Sequence, residues 1–381
     1  MDSNQLSEIL KNGENSRVQF KERLDNQDSI AAELIAFSNS KGGLLIFGVN
    51  DKTGEAIGLN YIQIQDYGNK IGTIANELIK PQVFITTEVV DICGKSLLVV
   101  DVAEGIAKPY KDRNGTIWIK QGADKRRLTD NNEQIRLFQQ SGLIYIDEMK
   151  VPYTGIEDID TEKVKKYLVA VSDEDEPITP TLLKNINVTK EDQLTLGGLL
   201  FFGKNPQKYR PAFCIKAVSF FGNELGGSDY RDSEDIVGTI PEMFQKSISF
   251  FTRNLHHIQA GQSFNSTGLL EISPVVLEEL LQNALTHRDY SKNAPIRICI
   301  FDNRVEIISP GKLPNSLTVE NIKRGNAVVR NNLIVSYSTK LMRYRGFGSG
   351  IVRALKEQPD ISFINDVDGE QFTVIIPRKQ Q

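Results

Sequence analysis

Glu279 and Asn283 stand one helical turn apart in the stretch Leu277 to Tyr290, LEELLQNALTHRDY. Leu277, Leu280, Leu281, Ala284 and Leu285 recur there at the spacing of one helical face, so the acid and the amide share the flank beside it. About fifty residues on, Arg345-Gly346-Phe347-Gly348-Ser349-Gly350 alternates glycine with larger residues. Such a loop lets backbone N–H groups approach a polyphosphate with no Cβ in the way. An E-x-x-x-N pair alone is ordinarily a solvated helix edge, and a lone G-x-G-x-G is ordinarily a turn. In this order they suggest a nucleotide site.

The elements that must position these residues are legible around them. Ile296 to Phe301 alternates as a strand, Asp302-Asn303 makes a turn, Val305 to Ile308 forms a second strand, and Ser309-Pro310-Gly311 follows. Helix, hairpin, glycine turn and glycine loop in this order resemble the GHKL ATPase domain of gyrase, histidine kinases and related chaperones. The closer resemblance is to the divergent version at the C-terminus of bacterial transcriptional-regulator and helicase-like proteins.

That resemblance implies a Bergerat-type α/β sandwich binding ATP with Mg²⁺. Glu279 becomes the general base, Asn283 holds Mg²⁺ between the phosphates, and Gly346, Gly348 and Gly350 wrap them. His287, one turn after Asn283, takes either a phosphate contact or a structural role. In the main family the turn after the hairpin reads Asp-x-Gly-x-Gly and its Asp receives the adenine amino group, whereas Ser309 and Gly311 occupy this turn here. Weak ATP binding, binding of another nucleotide, and an inherited scaffold all stay open.

Near the N-terminus, residues 3–12 read as a helix capped by Ser3, and Val18 and Phe20 share one face of a strand whose other face carries Gln19 and Lys21. Ile30 to Asn39 reads as a helix with a buried face, stopped by Ser40-Lys41-Gly42-Gly43 ahead of the apolar strand LLIFGV and the turn at Asn50-Asp51. ENSRVQFKE, AFSNSKGG and LLIFGVND together resemble the Schlafen AlbA-type domain over about residues 5–135. The resemblance implies nucleic-acid binding, DNA or RNA, for which Lys21, Lys41, Lys120, Lys125, Arg126 and Arg127 are the candidate phosphate contacts. Asp124 and Asp130 dilute that cluster, and a solvated loop of mixed charge is the alternative.

The Schlafen branch also implies a trio of acids that binds a divalent metal and cleaves RNA. Glu14 fits its first position and Asp51 its third, but Gln19 stands second. A neutral amide weakens a hard-cation site, so binding is expected over cleavage. A weak Mg-dependent ATPase, a nucleotide-gated ribonuclease and a catalytically dead scaffold remain the enzyme and structural alternatives.

The chain has 381 residues, 40% hydrophobic and 25% charged, with a net charge of −4, which allows two or three domains and does not by itself advertise nucleic-acid binding. The expected class is α+β: an AlbA-type mixed domain at 1–145, a linker and middle α/β region at 146–265, and the GHKL-like domain at 266–381. No apolar run is long enough to span a bilayer and no secretory leader is visible, so a cytoplasmic protein is expected. Cys93, Cys214 and Cys299 read as buried reduced thiols. The adjacent His256 and His257 face different ways, no G-x-S-x-G motif occurs, and the Phe-rich stripe of Glu242 to Phe251 suggests core or a homodimer surface.

Overall fold

Asp2 accepts from the Gln5 amide while the Gln5 side chain accepts from the Asp2 amide, a capping box that starts α1 (Ser3–Asn12). The cap is thus Asp2, one residue before the expected Ser3. The computed structural model describes the chain except residues 173–176, 227–228, 260–267, 315–316, 343, 345, 347 and 379–381. It forms two units, Met1–Ile144 and Tyr145–Gln381.

In the first unit β1 (Val18–Lys21), α2 (Gln27–Asn39) and β2 (Gly43–Phe47) form a parallel crossover. After α3 (Tyr61–Thr73), the hairpin β3 (Ile85–Ile92) and β4 (Lys95–Val102) completes a sheet of order β1-β2-β4-β3. Strand alternation sends Leu45, Phe47, Leu98 and Val100 to α2 and α3, and Val18, Phe20, Ile46 and Val99 to Leu6 of α1. Covered on both faces, β2 needs the near-continuous apolar run it has. A second hairpin, β5 (Trp118–Gln121) and β6 (Asp124–Arg127), leads into α4 (Asn131–Gln140). Cys93 departs from expectation: it lies exposed at a left-handed position in the β3–β4 turn, while Cys214 and Cys299 are buried.

The second unit runs α5 (Thr161–Ser172), α6 (Leu196–Phe202), β7 (Ile215–Phe220), β8 (Tyr230–Ile236), α7 (Ile240–Asn254), α8 (Pro274–His287), β9 (Ile296–Ile300) and β10 (Arg304–Pro310). It closes with α9 (Asn332–Leu341), α10 (Ser349–Glu357), β11 (Ser362–Asp366) and β12 (Gln371–Pro377). Six of these strands form one sheet, β8-β7-β9-β10-β12-β11, in which β7 and β9 run parallel and the other neighbours antiparallel. Strands from the expected middle region and from the expected nucleotide domain therefore share a single sheet. Leu277, Leu280, Leu281 and Leu285 of α8 pack in the same core as Ile298, Ile300, Val305 and Ile307.

Met243, Phe244, Phe250 and Phe251 of α7 lie in that core too, so the Phe-rich stripe is interior and offers no surface for self-association. Asp147 is fully buried and accepts from the Ile334 amide at 3.0 Å, capping α9 from a distant segment; burial raises its carboxyl to about 6. No helix among the described residues is long and apolar enough to cross a membrane.

Candidate functional site

Pro274 at the first turn starts α8, and its apolar stripe presses on β9 and β10. This seats Asn283 and His287 over the sheet, where they line an open cavity. Ser309, Gly311 and Gly348 line it as well. The floor is apolar: Ile307, Phe363, Phe372 and Val374, which share the upward face of β10, β11 and β12 with Ser309.

The glycine loop closes one side. Gly348 caps α10 in the left-handed region at φ 76°, and a Cβ there would fall 2.3 Å from the Gly325 carbonyl oxygen. Two residues on, a Cβ at Gly350 would meet Glu279 Oε2 at 2.4 Å and Asn283 Nδ2 at 3.2 Å. The first turn of α10 therefore rests directly on the acid and the amide. Gly346, at φ 63°, does not line the cavity, and Arg345 and Phe347 of the motif lie outside the described residues.

Glu279 is not idle. Its Oε1 accepts from Arg353 Nε at 2.9 Å and from Nη2 of the same guanidinium, while Arg353 Nη1 donates to Ser349 Oγ at 2.7 Å. Arg353 thus engages one oxygen of the carboxylate, and a general base here would have to work through Oε2 or shed this partner. Asn283 donates Nδ2 to the Glu279 carbonyl at 2.7 Å, which leaves its amide oxygen as the group suited to a hard cation. One amide oxygen fits Mg²⁺ brought in with phosphates, not an ion held by protein alone.

His287 faces Tyr344, Nε2 to hydroxyl 2.8 Å. Burial, helped by the positive Arg330, pushes its ring down to about 4, so it is neutral near pH 7 and supplies no charge to a phosphate. The sign of the resulting pH dependence follows. Below its ordinary 6.5 the unfolded ring takes up a proton that the folded ring, at about 4, refuses, so His287 withdraws stability as the pH falls through that window. The full loss is roughly 3 kcal/mol by pH 4, and less is expected because the ring opens on the cavity. Asp147 acts oppositely, because its raised carboxyl favours folding as the pH falls from about 6 toward 3.8. Urea unfolding of wild type and His287→Gln at pH 7 and pH 4.5 separates the two: the wild type should lose more than the variant, and equal losses would refute the assignment.

In the first unit, Glu14 Oε1 accepts from Gln19 Nε2 and from the Phe20 amide at 2.7 Å. Asp51 accepts from the Glu22 amide at 2.9 Å and from Lys21 Nζ at 3.3 Å. N–H donors thus occupy the carboxylates proposed as metal ligands, and no group of three or more His, Cys, Asp or Glu among the described residues could hold a metal ion. The expectation that Glu14 and Asp51 bind a metal does not fit this donor set.

The basic cluster also reads differently in three dimensions. Lys120 and Lys125 pair across the β5–β6 hairpin and both reach Glu33 of α2, Lys125 at 2.7 Å and Lys120 at 3.5 Å. The Lys120 side chain is 1% exposed, donates to Gln19 Oε1 at 2.9 Å and lies 4.9 Å from the centre of the Phe37 ring. Desolvation lowers its pKa, against the pull of Glu33. Lys120 is therefore an interior cation and is withdrawn as a phosphate contact. Arg126 is held by both oxygens of Glu133 at 2.7 and 2.9 Å. Lys21 is half-buried, whereas Lys41 is exposed, as is Arg127, whose guanidinium lies over the Trp118 ring. Glu33, within the helix read as having a buried face, was the available signal: an acid in a buried run demands a cation.

Residues 14–129 match the family model described as "Schlafen, AlbA_2", and residues 293–376 the model described as "Putative ATP-dependent DNA helicase recG C-terminal". The chain thus joins a Schlafen AlbA_2 domain to a HATPase-type domain of the RecG C-terminal kind, an α+β protein of a nucleic-acid-related class. Between them, residues 136–216 match a domain of unknown function. Among solved structures, the DIP2311 protein from Corynebacterium diphtheriae is 20% identical, covering 99% of this chain and 80% of its own, with a TM-score of 0.48. The N-terminal domain of a "Putative ATP-dependent DNA Helicase RecG-related Protein" from Nitrosomonas europaea is 22% identical, covering 34% of this chain and 94% of its own, with a TM-score of 0.26. A search of curated proteins gave no match.

Proposed function

We propose that this is a nucleic-acid-binding regulatory or defence protein whose state is controlled by ATP, carried with Mg²⁺, in the cavity between α8 and the sheet. The observation that carries the reading is the convergence of Asn283 of α8 on one cavity with Ser309, Gly311 and Gly348, which lie within the stretch matched to the HATPase-type domain. The Arg353–Glu279 pair favours nucleotide held as a ligand, with hydrolysis slow at most, since one oxygen of the base is held by a guanidinium. Lys41 and Arg127 are the exposed cations from which a nucleic-acid surface would be built. The ribonuclease alternative lacks support, because Gln19 and Lys120 bring N–H donors into the place where a cation would need oxygen.

Calorimetric titration with Mg-ATP tests this, repeated on Asn283→Ala. Loss of a hydrogen-bonding group facing charge is worth about 1.5–3 kcal/mol, so binding should weaken by roughly ten- to a hundredfold with the melting midpoint little changed. Unaltered affinity would remove Asn283 from the site. Filter binding of nucleic acid with and without Mg-ATP tests the coupling, and identical affinities would reject it.

A further inference from the structure

We infer that Lys120 is a resident cation: its ammonium fills the place in the first unit that a divalent metal would take, so this unit binds no such metal and holds nucleic acid without one. The last clause rests on the nucleic-acid reading above. Lys120 Nζ has three protons and three oxygen partners from separate parts of the chain: Gln19 Oε1 of β1 at 2.9 Å, Glu33 Oε2 of α2 at 3.5 Å, and the Ala123 carbonyl of the β5–β6 turn. An amide, a carboxylate and a carbonyl oxygen around one point are the ligand types of a hard cation. The Phe37 ring closes another side and almost no solvent reaches the lysine, so an ion that keeps part of its water could enter only by expelling it. Gln19 suits this arrangement because an amide has two unlike ends: Nε2 donates to Glu14 while Oε1 accepts from Lys120. A glutamate there would set one carboxylate against another and call for positive charge between them. As it stands the charges balance, Lys120 and Lys125 against Glu14 and Glu33, and a divalent ion added to the set would upset that balance out of reach of water.

The test is calorimetric titration of the full chain with Mn²⁺ and no nucleotide, on wild type, Gln19→Glu, and Gln19→Glu combined with Lys120→Ala. Wild type and Gln19→Glu should behave alike, since both keep the ammonium. The double variant, with carboxylates at positions 14, 19 and 33 and the ammonium gone, should bind Mn²⁺ at least about tenfold more tightly and melt several degrees higher in its presence. Mn²⁺ binding by wild type that Glu14→Ala abolishes, binding by Gln19→Glu that equals the double variant's gain, or a folded double variant with no gain would each overturn the inference. Should the double variant not fold, Gln19→Glu decides: a gain of about tenfold over wild type overturns the resident cation, and equality with wild type supports it. Filter binding of nucleic acid in EDTA and in Mn²⁺ reads the consequence, with equal affinities expected and a loss of about tenfold in EDTA overturning it. A chain that binds nucleic acid in neither condition would overturn the nucleic-acid reading, while the Mn²⁺ titrations would still decide what occupies the place of the metal.

Discussion

Replacing Arg378 with alanine is expected to destabilise the second unit by about 3–5 kcal/mol, the range for stranding one member of a buried ion pair. The Arg378 and Glu271 side chains are 3% and 2% exposed, and Nη2 and Nε lie 2.7 and 3.1 Å from Glu271 Oε1. The same guanidinium donates to the Phe301 carbonyl, and Glu271 Oε1 accepts the His256 amide at 2.7 Å. Truncation would leave a carboxylate out of water with one amide for company and a carbonyl with no donor. For a unit of this size the melting midpoint should fall by roughly 6–10 °C. The double variant Arg378→Leu, Glu271→Leu should recover much of the loss, since no lone charge remains. A loss below about 1 kcal/mol in urea unfolding of Arg378→Ala would mean that the pair behaves as a solvated surface contact.

The second large effect is expected at Gly198. The run Thr195-Leu-Gly-Gly-Leu-Leu-Phe-Phe202 has glycines that fit no phosphate loop, and the structure shows why: they are packing positions. A Cβ at Gly198 would fall 2.2 Å from the Val188 carbonyl oxygen and 2.9 Å from Thr195 Oγ1. Neither can yield cheaply. The Val188 carbonyl accepts from the Thr195 amide at 3.0 Å, and Thr195 Oγ1 both caps α6 through the Gly198 amide at 2.9 Å and donates to the Asn187 carbonyl at 2.8 Å. Gly198→Ala should therefore cost about 3 kcal/mol, the upper part of the range for overpacking. Gly72→Ala in α3, where nothing lies within 4 Å of a Cβ, is the control and should gain a few tenths to about 1 kcal/mol from helix propensity. Equal effects at the two positions would show that the contact at Val188 is easily relieved.

Local pattern was sufficient for α8, the β9–β10 hairpin and the α1–β1–α2–β2 run, because each carries its period and its stops within its own sequence. It also placed Asn283, Ser309, Gly311 and Gly348 around what proves to be one cavity. Orientation and long-range partners were the parts it did not contain. Arg353 lies 74 residues from Glu279, and no spacing rule joins an acid on one helix to a guanidinium on another. Lys120 looks like a surface cation in one dimension and points inward only because hairpin register sets it opposite Lys125, toward Glu33. The α7 stripe had two readings, core or interface, and only the packing of Phe250 and Phe251 decides between them. The addition of β7 and β8 to the sheet of the HATPase-type domain is likewise a matter of which edges meet, which periodicity does not encode.

That last feature separates two kinds of module. The stretch matched to the helicase-type family begins at 293, yet its first strand, β9, is paired along one side from Ile296 to Ile300 with β7, which lies outside the match. A polypeptide cut to the inherited module would bare a row of unpaired amides and carbonyls beside Ile298 and Ile300, a template for wrong partners. The stretch that matches is shorter than the sheet that folds together, and a piece of the second unit cut at its start would leave β9 without its β7 partner.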